Sequence, residues 1–205
     1  MEKRIVFATG NEGKMREIRA ILGDLGLPVL SMKEAGISAD IVENGNSFEE
    51  NAVIKARAVG KLCGDIVLAD DSGLVIDYLD GAPGIYSARF MGEETSYDIK
   101  NAAILKKLKD VPEAKRSARF ACVIACSLPD GRVFTSSGTM EGRIAYEIAG
   151  ENGFGYDPIF YLPACGCTSA EISTEQKNEL SHRGKALRAM KDLLKGYLQA
   201  DCAAQ

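Results

Sequence analysis

What this sequence lacks narrows it first. Its six cysteines (Cys63, Cys122, Cys126, Cys165, Cys167 and Cys202) never stand at CxxC spacing. That pattern supports neither a zinc site nor a disulfide framework, and it leaves them as buried or surface thiols. The chain has one histidine, His182, and nothing near it completes a Ser/His/Asp or Cys/His constellation. Basic residues are not in excess: 25 Lys and Arg face 29 Asp and Glu, for a net charge of −4. A general grip on nucleic acid needs a clustered basic surface, so that partner is not expected, whereas a small anion needs only a local group of Lys and Arg. Long apolar runs are missing too. Met1-Glu2-Lys3-Arg4 passes straight into Ile5-Val6-Phe7-Ala8, too short a run for a signal peptide or membrane span, so the expectation is a cytoplasmic protein with no membrane partner. No repeat, coiled coil or low-complexity tract is visible.

What is present suffices for a sizeable core: 205 residues, 46% of them hydrophobic, as one domain or two closely joined lobes. Arg4 to Thr9 reads as a strand, Gly10-Asn11-Glu12-Gly13 as a turn, and Met15, Ile18, Leu22 and Leu25 as one helical face. Ser47-x-x-Glu50 is a capping box opening a second helix, with Phe48, Ala52, Ala56 and Val59 on one side and an end near Gly64. Ile66 to Ala69 reads as a strand broken by Asp70-Asp71-Ser72-Gly73 and resumed at Leu74-Val75-Ile76. A helix is expected from about Ser96 to Leu108, and a hairpin from Arg119–Leu128 and Arg132–Ser137 around Pro129-Asp130-Gly131. A final helix is expected from about Ser181 to Leu198, with a frayed tail beyond. Helices interleaved with strands and hairpins predict an α/β domain with a mixed sheet.

Four clusters carry chemical potential. Thr9-Gly10-Asn11-Glu12-Gly13-Lys14 sits at a strand-to-helix turn, where backbone N–H groups, the helix dipole and a lysine suit a phosphate; taken alone, a tight turn with a solvated lysine is the stronger reading. It is neither a Walker A loop nor a dinucleotide fingerprint. Asp70-Asp71-Ser72-Gly73, with Glu43 upstream and Glu50, Asn51 and Lys55 on the helix between, offers the hard oxygens that Mg²⁺ takes one or two at a time, although Asp and Ser also form plain turns. Gly153-Phe154-Gly155-Tyr156-Asp157 sets an aromatic between glycines, for stacking on a base or for packing. Lys177 and Ser181-His182-Arg183 place donors at a helix start, or serve as surface and capping residues.

Taken in order, these segments resemble the inosine triphosphate pyrophosphatase family. The resemblance rests on Ala8-Thr9-Gly10-Asn11 with Lys14; Phe48-Glu49-Glu50-Asn51-Ala52 with Lys55-Ala56; Ala69-Asp70-Asp71-Ser72-Gly73-Leu74; Gly81-Ala82-Pro83-Gly84-Ile85-Tyr86-Ser87-Ala88-Arg89; Gly153-Phe154-Gly155-Tyr156-Asp157-Pro158-Ile159-Phe160; and Lys177 with Ser181-His182-Arg183. Each is weak alone, and six in one order are specific.

The resemblance implies an elongated, two-lobed α/β protein around a long mixed sheet with flanking helices, a nucleotide site in the cleft between lobes, and a homodimer. It implies that Thr9, Gly10, Asn11, Glu12, Gly13 and Lys14 hold the triphosphate, with Lys55 adding charge and Ser72 a substrate contact. It likewise implies that Glu43 and Asp71 hold Mg²⁺ and that Phe154, Gly155, Tyr156, Asp157, Lys177, His182 and Arg183 surround the base. Asp71 is the expected general base for water attacking the α-phosphorus of dITP, ITP or XTP, with pyrophosphate leaving. Arg183 and Lys177, donors only, suit the 6-keto acceptor of hypoxanthine or xanthine. Two alternatives stand beside this: a pyrophosphatase for modified pyrimidine nucleotides, and a nucleotide-binding module that does not hydrolyse.

Overall fold

The computed structural model describes residues 3–203, the last three by backbone alone; the side chain of Cys202 lies outside the described residues. Seven strands, β1 (Ile5–Phe7), β2 (Val29–Ser31), β3 (Ile66–Ile76), β4 (Ser117–Ser127), β5 (Val133–Ile144), β6 (Phe160–Leu162) and β7 (Cys167–Thr168), form one sheet in the order β2-β1-β3-β4-β5-β6-β7. β1 is parallel to β2 and β3, while β6 is antiparallel to β5 and β7, so the sheet is mixed, as expected. Five helices accompany it: α1 (Glu12–Leu22), α2 (Phe48–Cys63), α3 (Tyr97–Lys107), α4 (Thr174–Leu180) and α5 (His182–Ala203). None is long and apolar enough to cross a membrane.

The chain divides into two compact units. Among the described residues, the first holds 3–71, 122–138 and 183–203, and the second 72–121 and 139–182. In the first unit, strand parity sorts the core. Ile5, Phe7, Ile66 and Leu68 join Met15, Ile18 and Leu22 of α1 and Leu187, Met190 and Leu194 of α5 in one cluster. The alternate residues Val6, Ala8, Val67 and Ala69 join Ala52, Ala56 and Val59 of α2 in another. Successive strand side chains point to opposite faces, so strands covered on both faces read as unbroken apolar runs. Each fully buried Ile, Leu or Phe contributes roughly 1.5–3 kcal/mol. Asn11 caps α1 and Ser47 caps α2, each side chain accepting from the N–H three residues on. Only half of the expected capping box forms, because the Glu50 carboxylate accepts from the N–H of Asn46 instead of Ser47.

In the second unit Leu74, Ile76, Ile104, Leu108, Phe120, Met140, Ile144, Ile159 and Phe160 form the core. Arg116 is buried there, and among the described residues no carboxylate pairs with it. Its guanidinium donates to the carbonyls of Leu108, Val111, Ile144 and Ala145, at and just beyond the ends of α3 and β5, so acceptors that would otherwise be buried bare are satisfied.

Three expectations are corrected. β3 is one continuous strand through Asp70-Asp71-Ser72-Gly73, with no break. β5 runs on to Ile144. Helix α5 continues to Ala203, past Leu198, because no Gly or Pro intervenes to stop it.

Candidate functional site

The unbroken course of β3 decides where its two acids go. Continuing the alternation, Asp70 falls on the face of Leu68, toward α1 and α5, and Asp71 on the face of Ala69, toward α2. Their partners divide accordingly. Lys14 of α1 donates to both oxygens of Asp70, at 2.8 and 3.1 Å, and Arg183 of α5 lies 3.4 Å from Oδ2. The Arg183 guanidinium also donates to Glu17 of α1 at 2.7 Å. Asp71 Oδ2 accepts from Asn51 of α2 at 3.2 Å, and Asp71 Oδ1 lies 3.7 Å from the Lys55 ammonium. Lys55 donates to Glu43 at 3.0 Å. Glu43, Lys55 and Asp71 therefore meet around one ammonium, beside an Asp70 already matched by Lys14 and Arg183.

The two carboxyls consequently differ in acidity. Burial by itself would raise Asp70, but the charges of Lys14, Arg183 and Lys55 outweigh it and hold the group well below the usual carboxylate range. Asp71 is raised: burial dominates, Glu43 and Asp70 add repulsion, and Lys55 and the Asn51 bond only partly oppose it. Asp70 is thus a fixed anion that orders two cations, and Asp71 is the carboxylate with the higher proton affinity.

The donor set fits a hard divalent cation. Glu43 and Asp71 supply anionic oxygens around a spot where the fold already places positive charge, the Lys55 ammonium. Among the described residues no three His, Cys, Asp or Glu side chains gather as a metal group. Mg²⁺ needs only one or two carboxylates and completes its shell with water and phosphate. Thr9 to Lys14 leads from the end of β1 into the N-terminus of α1; Thr9 Oγ1 accepts from the N–H of Asn11, and Gly10 borders open space. A helix N-terminus with unsubstituted backbone beside it is suited to an anion.

A second cluster lies wholly within the second unit. Asp157 is buried and accepts from Lys177 at 2.5 Å, from the Phe154 N–H at 2.8 Å and from Ser169 Oγ at 2.9 Å. The Lys177 ammonium stands 4.7 Å from the Phe154 ring centre. Gly153 (φ 76°) permits this closeness, since a Cβ there would come 2.9 Å from Lys177 Nζ and against the Asp157 carboxylate. Tyr156 is buried and donates to the Ser87 carbonyl at 2.7 Å. Asn101 donates to the Gly155 carbonyl at 3.1 Å, and Tyr97 packs edge-on against Tyr156, so α3 braces the loop. His182 is stacked on Phe120, ring centres 4.9 Å apart and nearly parallel.

Of the residues singled out in the sequence, Thr9–Lys14, Glu43, Lys55, Asp71 and Arg183 belong to the first unit. Ser72, Phe154, Gly155, Tyr156, Asp157, Lys177 and His182 belong to the second. Lys177 sits within α4, a helix that sequence reasoning did not expect, Ser181 caps its end, and the last helix starts at His182, one residue from the expected position. Arg183, expected at the base, has its N–H groups directed at Asp70 and Glu17. Sequence reasoning grouped Asp70 with the acids offered to a metal and not with the cations Lys14 and Arg183 that it pairs, and it passed over Glu17, Ser169 and Asn101. Asp70 had a signal in its adjacency to Asp71; the other three had none.

A mixed-sheet α/β protein with paired carboxylates on a lysine and an aromatic loop locked by a buried acid–lysine pair defines a recognisable class. The Ham1 family model matches residues 5–193, and the chain belongs to the Ham1 family. It is 47% identical over 191 residues to the dITP/XTP pyrophosphatase of Desulforamulus reducens, covering 93% of this chain and 95% of that protein. It is 48% identical over 193 residues to the dITP/XTP pyrophosphatase of Bacillus licheniformis, covering 94% and 98%. Among solved structures it resembles the Ham1 protein of Staphylococcus aureus (42% identity, TM-score 0.86, 95% of this chain and 100% of that one). It also resembles a HAM1 protein of Coxiella burnetii (40%, TM-score 0.87, 95% and 99%).

Proposed function

We propose that the protein is a cytoplasmic, homodimeric, Mg²⁺-dependent nucleoside triphosphate pyrophosphatase that converts dITP, ITP and XTP to the monophosphate and pyrophosphate. The observation that carries this reading is the meeting of Glu43 and Asp71 on Lys55, next to the Asp70–Lys14 pair. The activity named for the relatives supports it.

On this reading Glu43 and Asp71 hold the Mg²⁺ ion, which, when bound, supplies charge neutralisation to the phosphate oxygens. Lys55 and the N–H groups of Thr9 to Lys14 add positive potential for the triphosphate. Asp71 accepts the proton of the water that attacks the α-phosphorus, the bond from that phosphorus to the bridging oxygen breaks, and pyrophosphate departs. Its proton affinity is raised by burial, with Glu43 and Asp70 adding to it, which is the direction a general base needs. Phe154 offers a ring for stacking. Lys177, donor only, matches the 6-keto acceptor of hypoxanthine or xanthine and mismatches the amino group of adenine, a disparity worth ~10⁴-fold where the donor is buried. The Lys177 ammonium lies beside the Phe154 ring, so this base contact is assigned to Lys177, while Arg183 donates to Asp70 and Glu17.

The test is pyrophosphate release from ITP, XTP, ATP and GTP with Mg²⁺ or with EDTA. The expected result is turnover of ITP and XTP far above ATP, abolished by EDTA and by Asp71→Asn. Equal rates for ATP and ITP would end the base assignment, and full turnover by folded Asp71→Asn would end its role as base.

A further inference from the structure

One side chain ties the Glu43 segment to Asp71. Asn51, at the end of the first turn of α2, is completely buried. Its Oδ1 accepts from the backbone N–H of Gly45 at 2.8 Å, and its Nδ2 donates to Asp71 Oδ2 at 3.2 Å. The amide has one orientation open to it, because turning it over would set oxygen against carboxylate oxygen and NH₂ against N–H. Gly45 comes so near that a Cβ would lie 2.7 Å from Asn51 Oδ1 and 2.7 Å from the Glu50 Cβ. Only glycine brings the segment this close, and Gly45 stands two residues after Glu43. On the far side Lys55, one turn after Asn51 on the same helix, joins Glu43 to the other oxygen of Asp71.

We infer that Asn51 is a positioning residue, which sets the spacing of Glu43 and Asp71 before a cation arrives by binding the backbone of one segment and the carboxylate of the other. The inference rests on the reading of Glu43 and Asp71 as cation ligands. On this inference Asn51 acts through Gly45 and Asp71 and not by contact with the cation or the nucleotide. Its hydrogen bond keeps Asp71 Oδ2 pointed along α2, and its bond to Gly45 prevents the Glu43 segment from swinging away. If Asn51 merely filled the core, its loss would lower the melting temperature and leave cation affinity unchanged. If it sets ligand spacing, cation affinity falls, by the roughly 10–100-fold typical of groups that orient metal ligands.

The experiment titrates Mn²⁺ alone, without nucleotide, into the full chain and follows the loss of the free-ion EPR signal. It compares the native protein with Glu43→Gln, Asp71→Asn, Asn51→Leu and Gly45→Ala, each checked for its thermal melt. Expected is weaker uptake in all four, about 10–100-fold for Asn51→Leu. The Mg²⁺ concentration for half-maximal pyrophosphate release should rise with it. Adding Asn51→Leu to Asp71→Asn should cost less than Asn51→Leu costs alone, since both act on the same carboxylate. Native affinity in Asn51→Leu, with Glu43→Gln and Asp71→Asn impaired, overturns the inference and spares the cation site. Native affinity in Glu43→Gln and Asp71→Asn, or no uptake by the native chain, overturns the site and the inference together. If Asn51→Leu fails to fold, Gly45→Ala decides, because it retains the amide and displaces only its partner; unchanged affinity there overturns the inference.

Discussion

Replacing Asp70 by Asn tests whether this carboxylate is an electrostatic anchor. Its side chain is 1% exposed and meets Lys14 at 2.8 Å and Arg183 at 3.4 Å, the latter side chain only 3% exposed. An amide of the same shape removes the charge and leaves a buried guanidinium with Glu17 as its one remaining acidic partner among the contacts described above. Removing one member of a buried ion pair costs about 3–5 kcal/mol, most of it from stranding the other charge. For a chain of this size each kcal/mol moves the melting temperature by about 2–4 °C, so the expected drop is about 6–20 °C. Calorimetric melts of the native protein and Asp70→Asn from pH 8 downward supply the second check. The folded carboxyl lies below the ordinary ~3.9 of the unfolded chain. Its stabilisation is therefore complete above about pH 4 and is lost only as the pH falls toward the lower folded value. The gap between the two proteins should stay constant from pH 8 to about pH 5. A variant as stable as the native protein, or a gap already shrinking between pH 8 and 5, would refute the anchor role.

Three further outcomes follow from the same contacts. Asp157→Asn strips the buried Lys177 of its carboxylate, and the ITP-over-ATP ratio of kcat/KM should fall by about tenfold or more, since a loosened donor no longer penalises adenine; an unchanged ratio in the substrate panel counts against Lys177 as the base reader. Gly153→Ala forces a Cβ into a left-handed backbone and toward Lys177 Nζ, for a stability loss of about 1–3 kcal/mol by denaturant titration together with a raised KM for ITP. Burial pushes the Cys122 thiol up to about 12, so at pH 8 it is protonated and unreactive in the folded state. Peptide mass spectrometry after brief alkylation should show the exposed Cys165 labelled and Cys122 untouched.

The apolar periodicities that carried the sequence reading survive because they reflect burial itself. Met15, Ile18 and Leu22, or Ala52, Ala56 and Val59, have one face to bury, and no local chemistry competes with that. Short elements escaped for the opposite reason. β2 and β7 span three and two residues, too few for a period of two to show, and α4 has seven residues. α4 did carry a legible start signal, the Ser173 and Gln176 capping box, overlooked beside the more conspicuous Ser181-His182-Arg183.

The instructive failure is Asp70-Asp71-Ser72-Gly73. These are turn-forming residues, and propensity alone places a break there. The strand continues because each acid finds buried partners from elsewhere in the chain: Lys14 and Arg183 for one, Asn51 and Lys55 for the other. Tertiary contacts of that kind override a preference worth about 1 kcal/mol across the whole strand scale. Continuity then has a chemical consequence that no residue list contains. In a turn, the two neighbouring carboxylates would have no fixed relation; in a strand they must face opposite ways, so one is neutralised by α1 and α5 while the other stays basic beside Glu43. The same geometry accounts for Arg183. Consecutive helical residues diverge by roughly 100°, so the residue after a His182 stacked on Phe120 is carried to Asp70 instead. Residue types in sequence identified the acids and cations of the site, and backbone parity assigned each acid its partners.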